Sequence, residues 1–337
     1  MTFFRLIILV LLLLTASCGR KEPVSTAFYY WKTIYQPDKG RQELLAEVGS
    51  NTVYLRMFDI VWNDIRSQAL PNAIIKVEKP LTNIRVVPVI FITNQTFTNI
   101  DLAQTDSLAR KAAFLVEALA SKCSFRFTQV QIDCDWTDST RDKYFNFLKA
   151  YHRYDPHNLS ATIRLHQVKY RERTGVPPVS RGVLMYYNMG SLRAGQARNS
   201  IYNARDAERY LARLGSYPLP LDVALPLYSW TIQSRAGRII QVYSKITLPD
   251  LAQSENFENN GTVYRARRSF FLKGVYIKEN DNFKAEETDI KLLNEAADQL
   301  SSHIAPLKGR TLIFYELGNL NHPQFDPQAL LKIAAHF

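Results

Sequence analysis

Residues 130–144 read VQIDCDWTDSTRDKY. Val130 to Thr137 is an apolar run interrupted by two carboxylates two positions apart, Asp133 and Asp135. Charge inside an apolar strand costs free energy unless it is paired or used. Strand periodicity puts Gln131, Asp133, Asp135 and Thr137 on one face, and Ile132, Cys134 and Trp136 on the other. The apolar set belongs against covering helices, so the aspartates face inward. Ser139 or Thr140 can cap the helix predicted to follow to Tyr154. A strand with one polar inward end, followed at once by a helix, is a βα unit.

The unit recurs along the chain. Strands are predicted at Ala27–Thr33, Thr52–Asp59, Val86–Phe97, Phe127–Thr137, Leu159–Gln167, Gly182–Gly190, Leu221–Trp230 and Thr311–Gly318. Helices are predicted at Arg41–Val48, Thr105–Lys122, Ser139–Tyr154, Ala204–Leu214, Lys284–His303 and Asp326–His336. Eight nearly continuous apolar strands alternating with helices imply parallel pairing with both faces covered. The expected fold is a single α/β domain, a (β/α)8 TIM-type barrel over residues 27–337. Residues 231–283 interrupt the alternation and read as an insertion after the seventh strand, with a hairpin at Thr262–Tyr276.

In such a barrel the functional positions lie at the C-terminal strand ends. Almost every predicted strand finishes there in a polar or aromatic group. They are Trp31, Arg56 with Asp59, Asn94, Asp133 with Asp135, Arg164 with His166, Tyr187 with Asn188, Tyr228 with Trp230, and Glu316. Asp133, Asp135 and Glu316 are the candidate catalytic carboxyls, since glycosidases commonly flank the scissile bond with two. Adjacent carboxylates on one strand face raise one another's pKa. Trp31, Arg56, Asp59, Asn94, Arg164, His166, Tyr187, Asn188, Tyr228 and Trp230 are the candidate substrate-binding residues. The aromatics suit sugar stacking and equally suit barrel packing. Asp133, Asp135, Arg164 and His166 also read as a structural network that ties strands together. His166 with the two aspartates is the one weak metal set, and no metal or other cofactor is expected.

Two resemblances follow from these residues. Asp133-Cys134-Asp135-Trp136 is similar to the D-x-D-W part of the family 18 chitinase signature, and Met185-Tyr186-Tyr187-Asn188 resembles that family's M-x-Y-D. The resemblance implies a sugar-binding barrel. The signature's catalytic Glu falls on Thr137, its first Asp-Gly on Val130-Gln131, and its Asp after the Tyr on Asn188. Threonine cannot protonate a glycosidic oxygen. The segments QIDCDWTDSTRDKY, LMYYNMG and LDVALPLYSW resemble domain-of-unknown-function family 3142 of bacterial lipoproteins, which implies the same barrel and no particular activity.

The first residues are of another kind. Arg5, the apolar run Leu6–Leu14 and the small residues before Cys18 form a signal-peptide layout too short to span a bilayer. Small residues before a Cys resemble a lipobox, which would make residues 1–17 a lipoprotein signal, Cys18 the lipidated residue and residues 18–26 a tether. An ordinary signal peptide with an incidental Cys18 fits the same layout. Cys123 and Cys134 read as buried small hydrophobes at opposite ends of one strand. The net charge of +11 has one local cluster at Arg265, Arg267 and Arg268, and export argues against nucleic acid. The expectation is a monomer held by its lipid on a bacterial envelope membrane, the periplasmic face of the outer membrane. There it would bind, and as an enzyme hydrolyse, an envelope or imported glycan. The alternative is a non-catalytic carbohydrate-binding or assembly lipoprotein on a glycosidase scaffold.

Overall fold

The structure, a computed structural model, describes residues 24–192, 198–318 and 325–337. The leader, Cys18 and most of the tether lie outside the described residues. Eight strands form the barrel: β1 (Ser25–Tyr30), β2 (Thr52–Asn63), β3 (Arg85–Ile92), β4 (Gln129–Asp133), β5 (Asn158–Arg164), β6 (Arg181–Met185), β7 (Leu221–Pro226) and β8 (Thr311–Tyr315). Each pairs in parallel with its neighbours, and β1 pairs with both β8 and β2, which closes the sheet. The helices packed outside include α1 (Lys39–Glu47), α2 (Asn94–Asn99), α3 (Gln104–Lys122), α4 (Arg141–Tyr154), α5 (Leu165–Lys169), α6 (Ala204–Leu211), α7 (Ile290–Ser301) and α8 (Pro327–Ala334). Among the described residues no helix is long and apolar enough to cross a membrane.

Period-two alternation sorts the side chains. Inward residues Ala27, Tyr29, Tyr54, Val87, Val89, Val183, Met185, Ala224 and Ile313 fill the barrel, while Phe28, Val53, Val86, Ile132, Leu184, Val223 and Phe314 face the helices. Gln131 lies inside, where its side-chain oxygen accepts from the Tyr29 hydroxyl at 2.6 Å. Trp136 lies outside, fully buried, stacked on Tyr144 at 5.0 Å, with its indole N–H donating to the Thr174 carbonyl at 2.8 Å. Cys123 and Cys134 are both buried and unbridged.

The strands are shorter than their apolar runs suggest. β3 stops at Ile92, and Asn94 opens α2; β5 stops at Arg164, so His166 sits on the first turn of α5 rather than beside Arg164 on a strand face. Trp31, Asp135, Tyr187, Asn188, Tyr228 and Glu316 all lie one to three residues beyond their strands. The reason is that pairing ends where the neighbouring ladder ends, whereas buried apolar residues such as Phe97, Leu165 and Val168 continue into the helices that follow.

The insertion is a sheet in its own right. Five strands run in the order Arg238–Tyr243, Trp230–Arg235, Asn282–Glu286, Val263–Ala266, Phe257–Asn260. Ile246, Leu251, Phe257, Tyr264 and Phe283 form its core. The single hairpin expected at Thr262–Tyr276 is instead the second strand of one hairpin, which closes at Gly261, and nearly all of another, which pairs Phe270–Leu272 with Val275–Ile277. The helix expected from Lys284 begins at Ile290, capped by Asp289, whose carboxylate accepts from the Leu292 N–H at 2.7 Å. Before it, Asn282–Glu286 alternates as a strand should, with Phe283 buried in the sheet core.

Candidate functional site

The C-terminal end of the barrel collects four carboxylates, and the chain treats each differently. Asp133 ends β4 pointing inward, 5% exposed, and accepts from the Thr162 hydroxyl of β5 at 2.6 Å. Burial pushes its carboxyl up to about 6; Arg164 opposes this and the Asp135 charge adds to it. The neighbouring charge is therefore a secondary cause and burial the main one. Asp135, past the strand end, is half exposed and takes two bonds from Arg164, Nε at 2.6 Å and Nη2 at 3.2 Å. Burial acts to lower the Arg164 guanidinium's pKa, but Asp135 more than reverses this, and the cation stays charged over the Tyr187 ring at 6.0 Å. His166, on α5, is held below its usual value by burial, with Asp135 pulling the other way.

Asp59 is buried on β2 and clamped by Arg56, whose Nε reaches it at 2.6 Å. Arg56 also donates to the Trp31 carbonyl at 3.0 Å and stands over the Trp31 ring at 5.5 Å. Glu316 is 2% exposed, and its Oε2 accepts from the Trp31 N–H at 3.0 Å. It thus fastens the end of β8 to the end of β1. Asn94 accepts from the Thr140 hydroxyl at 2.6 Å, and Thr140 Oγ1 in turn accepts from the Thr137 N–H at 3.0 Å. Thr137 itself exchanges a hydrogen bond with the Ser139 hydroxyl at 3.0 Å.

An aromatic set occupies the rest of the mouth. Tyr187 stacks on Tyr315 at 5.3 Å, Tyr228 meets both edge-on, and Trp230 and Trp31 extend the cluster at 5.4 Å from Tyr228 and 5.6 Å from Tyr315. The Tyr228 hydroxyl donates to the Asn188 side chain, and Asn188 holds a left-handed backbone that asparagine tolerates. Its N–H donates to the Ile201 carbonyl at 2.7 Å. Gly190 lies so close to this returning chain that a Cβ there would come within 2.7 Å of the Ser200 Cα.

Between the mouth and the insertion sheet runs a cleft of about 350 Å³. Trp31, Tyr228, Trp230 and Tyr315 wall it from the barrel, and Val242, Ile246 and Leu248 from the insertion. Asn188, Glu287 and Glu316 supply polar edges, while Asp133, Asp135 and Arg164 lie outside its lining. Glu286 fixes the geometry. Fully buried, it accepts from the Trp230 indole at 2.8 Å, the Ser200 N–H at 3.0 Å, the Ser200 hydroxyl, and Lys284 Nζ at 2.5 Å. One carboxylate thereby joins the insertion, the chain after β6 and the cleft's Trp230.

The mouth therefore brings Trp31, Arg56, Asp59, Asp133, Asp135, Arg164, Tyr187, Asn188, Tyr228, Trp230 and Glu316 to one end, with Asn94 and His166 on the helices beside it. His166 and the two aspartates do not form a metal-competent group among the described residues. Sequence reading missed Tyr315, Thr162 and Glu286. Tyr315 was visible as the inward neighbour of Ile313; Glu286 was hidden by its assignment to a helix.

No protein-family model matches the chain, and no curated protein does. The likeness of three segments to domain-of-unknown-function family 3142 therefore stands on those segments alone. Solved structures do match. A chitinase from Chromobacterium violaceum superposes with a TM-score of 0.53 at 13% identity, over 93% of this chain and 98% of that one. A chitinase-like agglutinin from Robinia pseudoacacia gives 0.52 at 11% identity, over 92% and 98%. A GH18 chitinase mutant from Cycas revoluta, solved in complex with (GlcNAc)4, gives 0.51 at 12% identity, over 93% and 99%. The chain shares the fold of these barrels.

Proposed function

We propose that this protein binds a carbohydrate chain in the aromatic cleft, as a monomer held by a lipid on Cys18 at the periplasmic face of the outer membrane. The observation that carries the reading is the cleft itself, with four aromatic rings against one apolar wall and amide and carboxylate groups at its edges. Aromatic faces with a few placed polar groups suit a sugar ring, which is apolar on its faces and polar at its rim. The place that the family 18 resemblance assigns to a catalytic Glu is taken by Thr137, which carries no acidic proton. Binding without hydrolysis is therefore the leading reading, and a chitinase-like agglutinin is among the structures of the same fold.

Hydrolysis remains as a second reading because one observation favours it. Burial raises the Asp133 carboxyl to about 6, so it holds a proton in mildly acidic solution, as a general acid must. The test uses N-acetylglucosamine oligomers first, then a wider glycan panel. Binding is followed by tryptophan fluorescence and product release by mass spectrometry. The leading reading expects saturable binding by the wild type, loss of it in Trp230→Ala, and no product. Product formed by the wild type and lost in Asp133→Asn would establish hydrolysis instead. Absence of any glycan binding would end both. For the anchor, Cys18→Ala is expected to lose lipid labelling and leave the membrane fraction; unchanged retention refutes it.

A further inference from the structure

The base of the barrel, at the N-terminal strand ends and remote from the cleft, holds a second cluster. Glu117 lies in the later half of α3, Asp155 caps the C-terminus of α4, and His157 precedes β5. One ligand-type atom from each lies within 4.8 Å of the others. Asp155 is only 3% exposed. Its Oδ1 accepts from the His157 N–H at 3.1 Å and meets His157 Nδ1 at 2.6 Å. Its Oδ2, equally buried, has no hydrogen-bond partner among the described residues. A buried carboxylate oxygen left without a donor is costly, and most such oxygens in folded proteins are satisfied.

The surroundings show what would satisfy it. The Tyr151 hydroxyl, also buried, lies against the Asp155 carboxylate. Its phenol is held well above its usual value by burial first, then by the Asp155 charge and a hydrogen bond to that carboxylate, with Glu117 adding to the effect. Negative potential thus converges on this point from two carboxylates. The His157 ring is fixed against Phe127 at 4.6 Å, and Nδ1 is the nitrogen that faces Asp155, so an ion there would replace the proton between them. A surface groove of about 560 Å³, lined by Glu117, Ser121, Ser124, Arg126 and His157, gives access from solvent. Arg126 is the one cation in that lining.

We propose that Glu117, Asp155 and His157 form a divalent-cation site that takes zinc. One imidazole and two carboxylates match zinc's donor preference, whereas calcium takes six to eight oxygens. Ligands at about 2.0–2.2 Å from a tetrahedral ion lie roughly 3.3–3.6 Å apart. The side chain of the exposed Glu117 closes by up to about 1.4 Å to reach that span. Water completes the coordination. The ion would bind together the end of α3, the end of α4 and the start of β5, so the site is structural in kind.

The test is zinc titration of the EDTA-treated protein by calorimetry, with melting temperature followed in parallel. The expected result is one equivalent bound per chain and a raised melting temperature. Glu117→Gln and His157→Ala should each weaken binding at least tenfold. His157→Ala risks folding, since it strips the donor from Asp155; Glu117→Gln, on an exposed helix face, does not and remains decisive. A wild type whose melting temperature ignores zinc, or a Glu117→Gln variant that binds it with unchanged affinity, overturns the proposal. Either result would leave Asp155 to His157 and the Tyr151 hydroxyl.

Discussion

Replacing Asp133 with asparagine is expected to make this protein more stable at neutral pH, although the residue sits at the centre of the barrel mouth. Its carboxyl moves from 3.8 to about 6 on folding, chiefly through burial. The sign follows from proton binding. Between these two values the folded state holds the proton more tightly than the unfolded state, so stability falls as pH rises through the interval and is level above it. Each pH unit is worth about 1.4 kcal/mol, so ionised Asp133 costs about 3 kcal/mol at pH 7. Asparagine keeps an acceptor for the Thr162 hydroxyl and carries no charge to bury. Unfolding entropy of about 2 cal/mol/K per residue turns that gain into a rise in melting temperature of about 4 °C. The assay is denaturant unfolding of both proteins from pH 4 to pH 8. Their difference should be near zero at pH 4, grow to pH 6 and hold level beyond. An Asp133→Asn variant destabilised at pH 7, or a difference independent of pH, would refute the reasoning and show that Asp133 is held ionised by Arg164.

Asp135→Asn should cost less than about 1 kcal/mol, because the carboxylate is half exposed and such pairs contribute little. It should also free Arg164 to turn toward Asp133 and flatten the pH dependence just described, which the same titration measures. Arg56→Met should cost about 3–5 kcal/mol by stranding the buried Asp59 charge, read as a lowered denaturant midpoint. Glu286→Gln should cost about 3 kcal/mol by leaving Lys284, a mostly buried cation, without its counter-charge, and should shift the Trp230 emission whose indole N–H it anchors. An unchanged emission spectrum would show that Trp230 is held by other contacts.

The barrel was legible because strands buried on both faces leave long apolar runs, and eight of them alternate with helices. The inward direction of Asp133 and the outward direction of Trp136 followed from period two alone. Strand ends were not legible, since Phe97, Leu165 and Val168 continue the apolar runs into helices whose start depends on tertiary contacts. The insertion sheet was hidden for the opposite reason. Arg238–Tyr243 is mostly exposed on both faces and presents no clear alternation. Asn282–Glu286 reads equally well as helix because only Phe283 and Glu286 in it are fully buried. Glu316 was recognisable as a carboxylate at a strand end, but its commitment to the Trp31 N–H is a contact across 285 residues that no local pattern encodes.

The fourfold acceptor Glu286 has a kinetic consequence. Because it rivets Trp230 and the insertion to the barrel at the same point, the cleft stands open at fixed width before anything enters. Side chains already immobilised have little rotational freedom left to lose when a ligand arrives. Association should then proceed in a single exponential phase, linear in ligand concentration, with no slower isomerisation behind it. Discrimination between ligands would fall on how long each one stays, set by how well its thickness fits a rigid slot.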